Sequence, residues 1–141
     1  MAGRRHEGRQ PCRTAALRFA AQVLRTVKRA AREATARHVM LQLVRAATGG
    51  GSNDEEARAA ESRADLIHKL SVATKEMREA LYWLKLVQEA DLLDAGIADL
   101  VQQASEWVAI LTASLTTARR MGNARNRELG IVNENRSLRL K

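Results

Sequence analysis

Apolar residues recur along this chain at alternating spacings of four and three, most cleanly between Ser62 and Glu89. Leu66, Leu70, Ala73, Met77, Ala80, Leu84 and Val87 form an unbroken heptad seam. Ile67, Thr74 and Leu81 run beside it, so the apolar face is wider than a two-stranded coiled coil needs. Lys69, Lys75, Arg78, Glu79 and Lys85 fall off that face, and no Gly or Pro interrupts it. Ser62 is placed to cap the start, with Asp65 three residues on as a weak capping-box partner. Asp65 with Lys69, and Lys75 with Glu79, have the i,i+4 spacing of helical ion pairs. The stretch predicts an amphipathic helix roughly 42 Å long, whose stripe must be buried against helices of similar length.

A second seam of the same period runs through Ile97, Val101, Ala104, Val108, Leu111, Leu115 and Ala118, widened by Leu100 and Trp107. Asp91 or Asp94 is expected to cap this helix. Arg119 and Arg120 complement the dipole in its last turn, and Gly122 is expected to end it. Nearer the N-terminus, residues 13–32 predict a helix with Leu17, Ala20, Leu24, Val27 and Ala31 buried and Arg18, Arg25, Arg29 and Arg32 together on the outer side. The stretch 33–37 reads as a joint, with Thr35 as a cap for the next helix. That helix carries Ala36, Met40, Leu43, Ala47, Gly50 and Ala57 on its seam, the poorest of the four in apolar volume. It also contains Thr48-Gly49-Gly50-Gly51-Ser52-Asn53, which by itself reads as a turn or linker. Each helical glycine costs roughly 1 kcal/mol against alanine, so the residues alone argue for a break here.

Sustained heptads joined by short connections predict an all-α, up-down antiparallel four-helix bundle. Its span is 13–121, between a basic segment 1–12 expected to be disordered and a basic tail 122–141. Composition agrees: aromatics are only 3 %, there is one proline, and Val, Leu and Ala dominate, which disfavours a sandwich or barrel. At 141 residues the chain suits one domain that can bury about two-thirds of its unfolded surface.

Charge changes the picture from a generic bundle to one with basic ends. The net charge is +8. Residues 1–45 hold eleven Arg/Lys against two Glu, 46–117 six basic against twelve acidic residues, and 118–141 seven basic against two acidic. Such asymmetry points to a polyanionic partner or to self-association of opposite patches. The single cysteine, Cys12, permits no intrachain disulfide, which suits a reducing compartment. No apolar run approaches the ~18 residues of a membrane span, and the N-terminus lacks the apolar core of a secretory signal. The expectation is a cytoplasmic protein without membrane contact.

The stripe Arg18, Arg25, Arg29 and Arg32, with Arg119 and Arg120, is the candidate nucleic-acid surface, since arginines neutralise phosphates and release counterions. The competing reading is a solvated helix face, the usual meaning of a charge run. With almost no aromatics to stack bases, binding would be to the RNA or DNA backbone and poorly sequence-specific. Tyr82, Trp83 and Trp107 are candidate anchors of a subunit interface, or equally packing at one end of the core. Asp65 and His68 have carboxylate-x-x-His spacing, but a bundled di-metal site needs two such pairs and two further Glu, and His6 and His38 offer no match. Glu76 and Glu79 read as helix-surface carboxylates. No phosphate loop, Gly-x-Ser-x-Gly or Cys-x-x-Cys occurs. No catalytic residue, cofactor, metal or small-molecule substrate is expected.

The run from Gln42 carries a resemblance. Gln42-Leu43, Arg45-Ala46-Ala47, Asn53, Glu56-Ala57, Glu61–Leu70, Lys75-Glu76, Glu79, Tyr82-Trp83-Leu84, Ser114 and Thr117-Ala118-Arg119 resemble the pattern of the "four helix bundle protein" family. That family includes proteins encoded in intervening sequences of bacterial 23S rRNA genes and accessory proteins of diversity-generating retroelements. The resemblance spans roughly residues 15–120 and is most specific over 56–84. It implies an up-down four-helix bundle, a homopentamer, no catalytic residues and, for the retroelement branch, a basic surface engaging a reverse transcriptase and nucleic acid. It also argues that the second helix is continuous where the glycines alone suggest a break. A protein-interaction module of the rRNA intervening-sequence type, without nucleic-acid binding, is the alternative. The seam assignment predicts that Leu70→Ala costs about 2–5 kcal/mol in a denaturant titration; a loss near zero means that the seam is misplaced.

Overall fold

The computed structural model describes residues 10–30, 34–93 and 96–130 and, among them, four helices and no strand. They are α1 (Gln10–Ala30), α2 (Ala34–Arg58), α3 (Arg63–Glu89) and α4 (Ile97–Glu128). The chain is an up-down four-helix bundle in which each helix packs on the next. The interfaces of α3 with α2 and α4 are extensive, that of α1 with α2 is smaller, and α1 only touches α4. The expected disordered segment through residue 9 and the tail from residue 131 lie outside the described residues. Residues 10–12, assigned to that segment, are instead the first turn of α1.

The organising seam of α3 is buried as its spacing requires. Leu70, Ala73, Met77, Ala80, Leu84 and Val87 are in the core with Thr74, while Leu66 is only partly covered. Ser62 Oγ accepts the Asp65 N–H at 3.0 Å, and Asp65 Oδ2 accepts from the Glu61 N–H at 3.3 Å. This reciprocal cap starts the helix. The helix stops in a Schellman turn. Leu92 N–H reaches Val87 O at 3.1 Å, Asp91 N–H reaches Gln88 O at 3.2 Å, and Asp91 takes the left-handed conformation at φ 50°. Asp91 thus closes α3 rather than capping α4. The N-cap of α4 is Gly96, which has no side chain to bond with, and Asp94 lies outside the described residues.

Three other expectations are corrected. In α4 Ile97, Ala104, Leu111, Leu115 and Ala118 are buried as expected, but the flanking Leu100 and Trp107 are buried in place of Val101 and Val108, which are only partly covered. The helix also runs through Gly122 to Glu128. A glycine with no left-handed torsion is tolerated within a helix, and the αL stop is Gly130 at φ 67°. Thr35 lies inside α2 rather than capping it.

The largest correction concerns α1. Its core residues are Ala16, Phe19, Val23 and Thr26, whereas Leu17 and Leu24, expected inside, are 71 % and 46 % exposed. The apolar arc of α1 covers more than half the helix circumference, and two phases satisfy the same 3–4 spacing. The bulk of Phe19 decides which one faces inward. Ala31 lies outside the described residues.

The Gly49–Gly51 run does not break α2. Thr48 Oγ1 donates to Val44 O at 2.8 Å, Ser52 Oγ to Gly49 O at 3.2 Å and Asn53 Nδ2 to Gly49 O at 2.9 Å, so the polar side chains fold back on the helix. Gly50 is buried against α3: a Cβ there would stand 3.0 Å from Met77 Cε, 3.5 Å from Met77 N and 3.7 Å from Ala73 O. At Gly51 an added Cβ would meet only Ala16 O, at 4.0 Å. The helices therefore gain close backbone approach where α2 loses intrinsic propensity. Gly51→Ala is expected to stabilise the fold by about 0.5–1 kcal/mol. Gly50→Ala is expected to destabilise it by about 1 kcal/mol, because overpacking against Met77 exceeds the helix gain. Paired urea titrations measure both signs.

Candidate nucleic-acid interface

Arg18 and Arg25 project from the exposed side of α1, two turns apart and on one stripe. Among the described residues neither is paired with a carboxylate. The side chain of Arg29, and Arg32, lie outside the described residues. Arg119 and Arg120 are exposed on α4. They are not on the same stretch of surface as Arg18 and Arg25. Gln22 of α1 bonds Asp99 at 3.2 Å and Gln103 at 3.1 Å near the start of α4, so antiparallel packing carries Arg119 and Arg120 towards the opposite end of the bundle. The basic surface is thus two patches.

Charge elsewhere is consumed by the fold. Asp54, buried in α2, is bonded by Arg58 at 2.9 Å. Lys69 of α3 bonds Glu56 of α2, and that hydrogen bond, then the Glu56 charge, holds the ammonium above its usual pKa, with a smaller contribution from Asp65. A raised lysine pKa means that the cross-link is in force while Lys69 is protonated and is lost in strongly alkaline solution. Glu79, placed by spacing opposite Lys75, instead accepts from Trp83 Nε1 at 3.2 Å. His38 and His68 are exposed, and among the described residues no group of three or more His, Cys, Asp and Glu is disposed to hold a metal ion. No described helix is long and apolar enough to cross a membrane.

The three aromatic candidates separate. Trp107 is 7 % exposed within the single chain and belongs to its core. Tyr82 is 59 % exposed and stacks edge-on with Trp83 at 5.1 Å between ring centres. A second apolar surface went unforeseen: a groove of about 430 Å³ between α1 and α2, whose α1 wall is Ala16, Leu17, Ala20, Ala21 and Leu24. It exists because the phase of α1 turns Leu17 and Leu24 outward. The signal in the sequence was an apolar arc too wide for one interface.

These features compare directly with known proteins. The sequence matches the 23S rRNA-intervening sequence protein family over residues 11–113. The chain belongs to that family. A similar solved structure is that of a protein of unknown function from the S23 ribosomal protein family of Bacteroides thetaiotaomicron. It is 29 % identical, with a TM-score of 0.67 over 73 % of this chain and 96 % of that one. No curated protein matches the chain. The family match takes in nearly all of α1, the whole of α2 and α3 and the first half of α4, and stops before Arg119 and Arg120.

The split between the aromatics is testable. Trp107→Ala is expected to cost about 3–5 kcal/mol as a core truncation. Tyr82→Ala should leave monomer stability within about 0.5 kcal/mol. Guanidinium titrations of dilute protein distinguish the two.

Proposed function

We propose that this protein is a non-enzymatic, oligomeric scaffold whose basic surface binds the backbone of nucleic acid, or a nucleic-acid enzyme such as a reverse transcriptase. The observation that carries the reading is the exposed Arg18 and Arg25 stripe on α1, left without carboxylate partners among the described residues in a chain of net charge +8. An isolated helix needs no such stripe, and unpaired cations at helical spacing raise the local concentration of polyanions. The family to which the chain belongs is described by its 23S rRNA intervening sequence, a setting in which RNA is the natural polyanion.

Self-association is the second part of the reading. The α1–α2 groove leaves Leu17 and Leu24 in solvent beside Arg18 and Arg25, and contiguous apolar surface of this kind marks an interaction face. Burying it between copies in a ring, taken as a homopentamer, sets the arginines of neighbouring copies side by side and multiplies the patch. The same groove supports the alternative of a pure protein-interaction module, in which the arginines serve solubility or pairing between subunits.

Two measurements decide. Light scattering of the full chain at low and high salt should give a salt-resistant species of about five times 15.6 kDa, and Leu17→Glu with Leu24→Glu should dissociate it. A wild-type monomer ends the ring proposal. Single-stranded RNA titrated across a salt series should bind with an affinity that falls by about 0.7 log units per log unit of salt for each phosphate contact. Arg18→Ala and Arg25→Ala should weaken it; no binding at low micromolar protein leaves only the interaction module.

A further inference from the structure

The last turns of α4 hold a second basic feature that the α1 stripe does not explain. Because α4 continues past Gly122, Arg119, Gly122, Asn123 and Asn126 lie on one face of the helix, with Arg125 beside them. This face meets the first turn of α3. Arg63, Ala64 and Ile67 form the opposite wall of a half-open pocket of about 500 Å³. Arg63 is held in place by donating from Nη1 to Ala118 O at 3.4 Å. Gly122 keeps the space open: a Cβ there would stand 3.3 Å from Arg63 Cδ.

Three arginines from two helices therefore line one pocket. Among the described residues none is paired with a carboxylate. Asp65, the acid in the first turn of α3, has its carboxylate engaged by the Glu61 N–H. Like charges brought together without a counterion repel, and an anion relieves that repulsion. Planar guanidinium forks and amide N–H donors match the several peripheral oxygens of a tetrahedral phosphate better than a single carboxylate. The start of α3 adds the positive end of its dipole on the same side. The α4 wall lies beyond residue 113, where the family match ends, and the α3 wall lies within it.

We propose that the pocket formed by Arg63, Arg119 and Arg125 with Asn123 and Asn126 is a phosphate-binding site, which seats one backbone phosphate of a bound polynucleotide. This rests on the function proposed above for the source of the phosphate, but not for the pocket itself. Two arms separate the two. In the first, inorganic phosphate is titrated into the ¹⁵N-labelled full chain at constant ionic strength, with chloride as control, while the arginine Nε–H resonances are followed. Saturable shifts are expected at Arg63, Arg119 and Arg125 and not at Arg18 or Arg25. Arg119→Ala and Arg125→Ala, both exposed and without a bonded partner among the described residues, should each weaken phosphate by about three- to tenfold. Shifts equal to those in chloride, shifts spread evenly over all arginines, or shifts that survive both substitutions overturn the site.

In the second arm the same variants are titrated with single-stranded RNA across a salt series. Each should lower the salt slope by up to about 0.7, the contribution of the single phosphate seated, additively with Arg18→Ala. Unchanged slopes with intact phosphate binding overturn the polynucleotide as the source and leave a site for free phosphate. A wild-type chain that binds no RNA refutes the proposed function, while the first arm still decides whether the pocket binds phosphate.

Discussion

The bundle depends on how closely α2 can approach α3. Ala46, Ala47 and Gly50 of α2, and Ala73 and Ala80 of α3, are buried with almost no side-chain volume of their own. At Gly50 even an added Cβ would already touch the α3 backbone at Met77 N and Ala73 O and crowd the tip of the Met77 side chain. Small residues give up apolar burial per side chain, but they let the flanking large ones, Met40, Leu43, Met77 and Leu84, interlock at interior density. Three consecutive glycines would ordinarily loosen a helix by a few kcal/mol. Here tertiary packing and the back-bonded Thr48, Ser52 and Asn53 offset that tendency.

From this tight pair the rest of the architecture follows in order of decreasing commitment. On α3 the far face binds α4 through Leu100, Trp107, Leu111 and Leu115, which spends the one large aromatic of α4 inside the subunit. By contrast α1, with Phe19 and Val23 in the core, packs mainly on α2 and barely meets α4, where Gln22 bonds Asp99 and Gln103. A helix bound on little more than one side keeps a second apolar face. That is why the α1–α2 groove and the arginine stripe adjoin one another on the same helix.

The candidate sites were legible to different degrees for physical reasons. Arg18 and Arg25 were readable because exposed charge on a helix announces its face by periodicity alone. The phosphate pocket was not, since Arg63 and Arg119 are distant in sequence and meet only through the α3–α4 packing. Nor could the sequence show that α4 passes Gly122, because a glycine stops a helix only where its torsion turns left-handed, and that torsion belongs to Gly130. Asp91 illustrates the same point at the end of α3, where an aspartate takes the αL position usually given to glycine or asparagine and so closes one helix instead of opening the next.

Local pattern by itself determined that the protein is helical, where α3 lies, how Ser62 and Asp65 start it, and that both ends of the chain are basic. These are properties of residues within a turn or two of each other, where spacing and side-chain chemistry act directly on the backbone. The phase of α1, the continuity of α2 and the company kept by each arginine were decided only by tertiary structure. Each depends on a comparison between two packings of similar local energy. Phe19 rather than Leu17 faces inward, and Gly50 stays helical, because of what the neighbouring helices place opposite them.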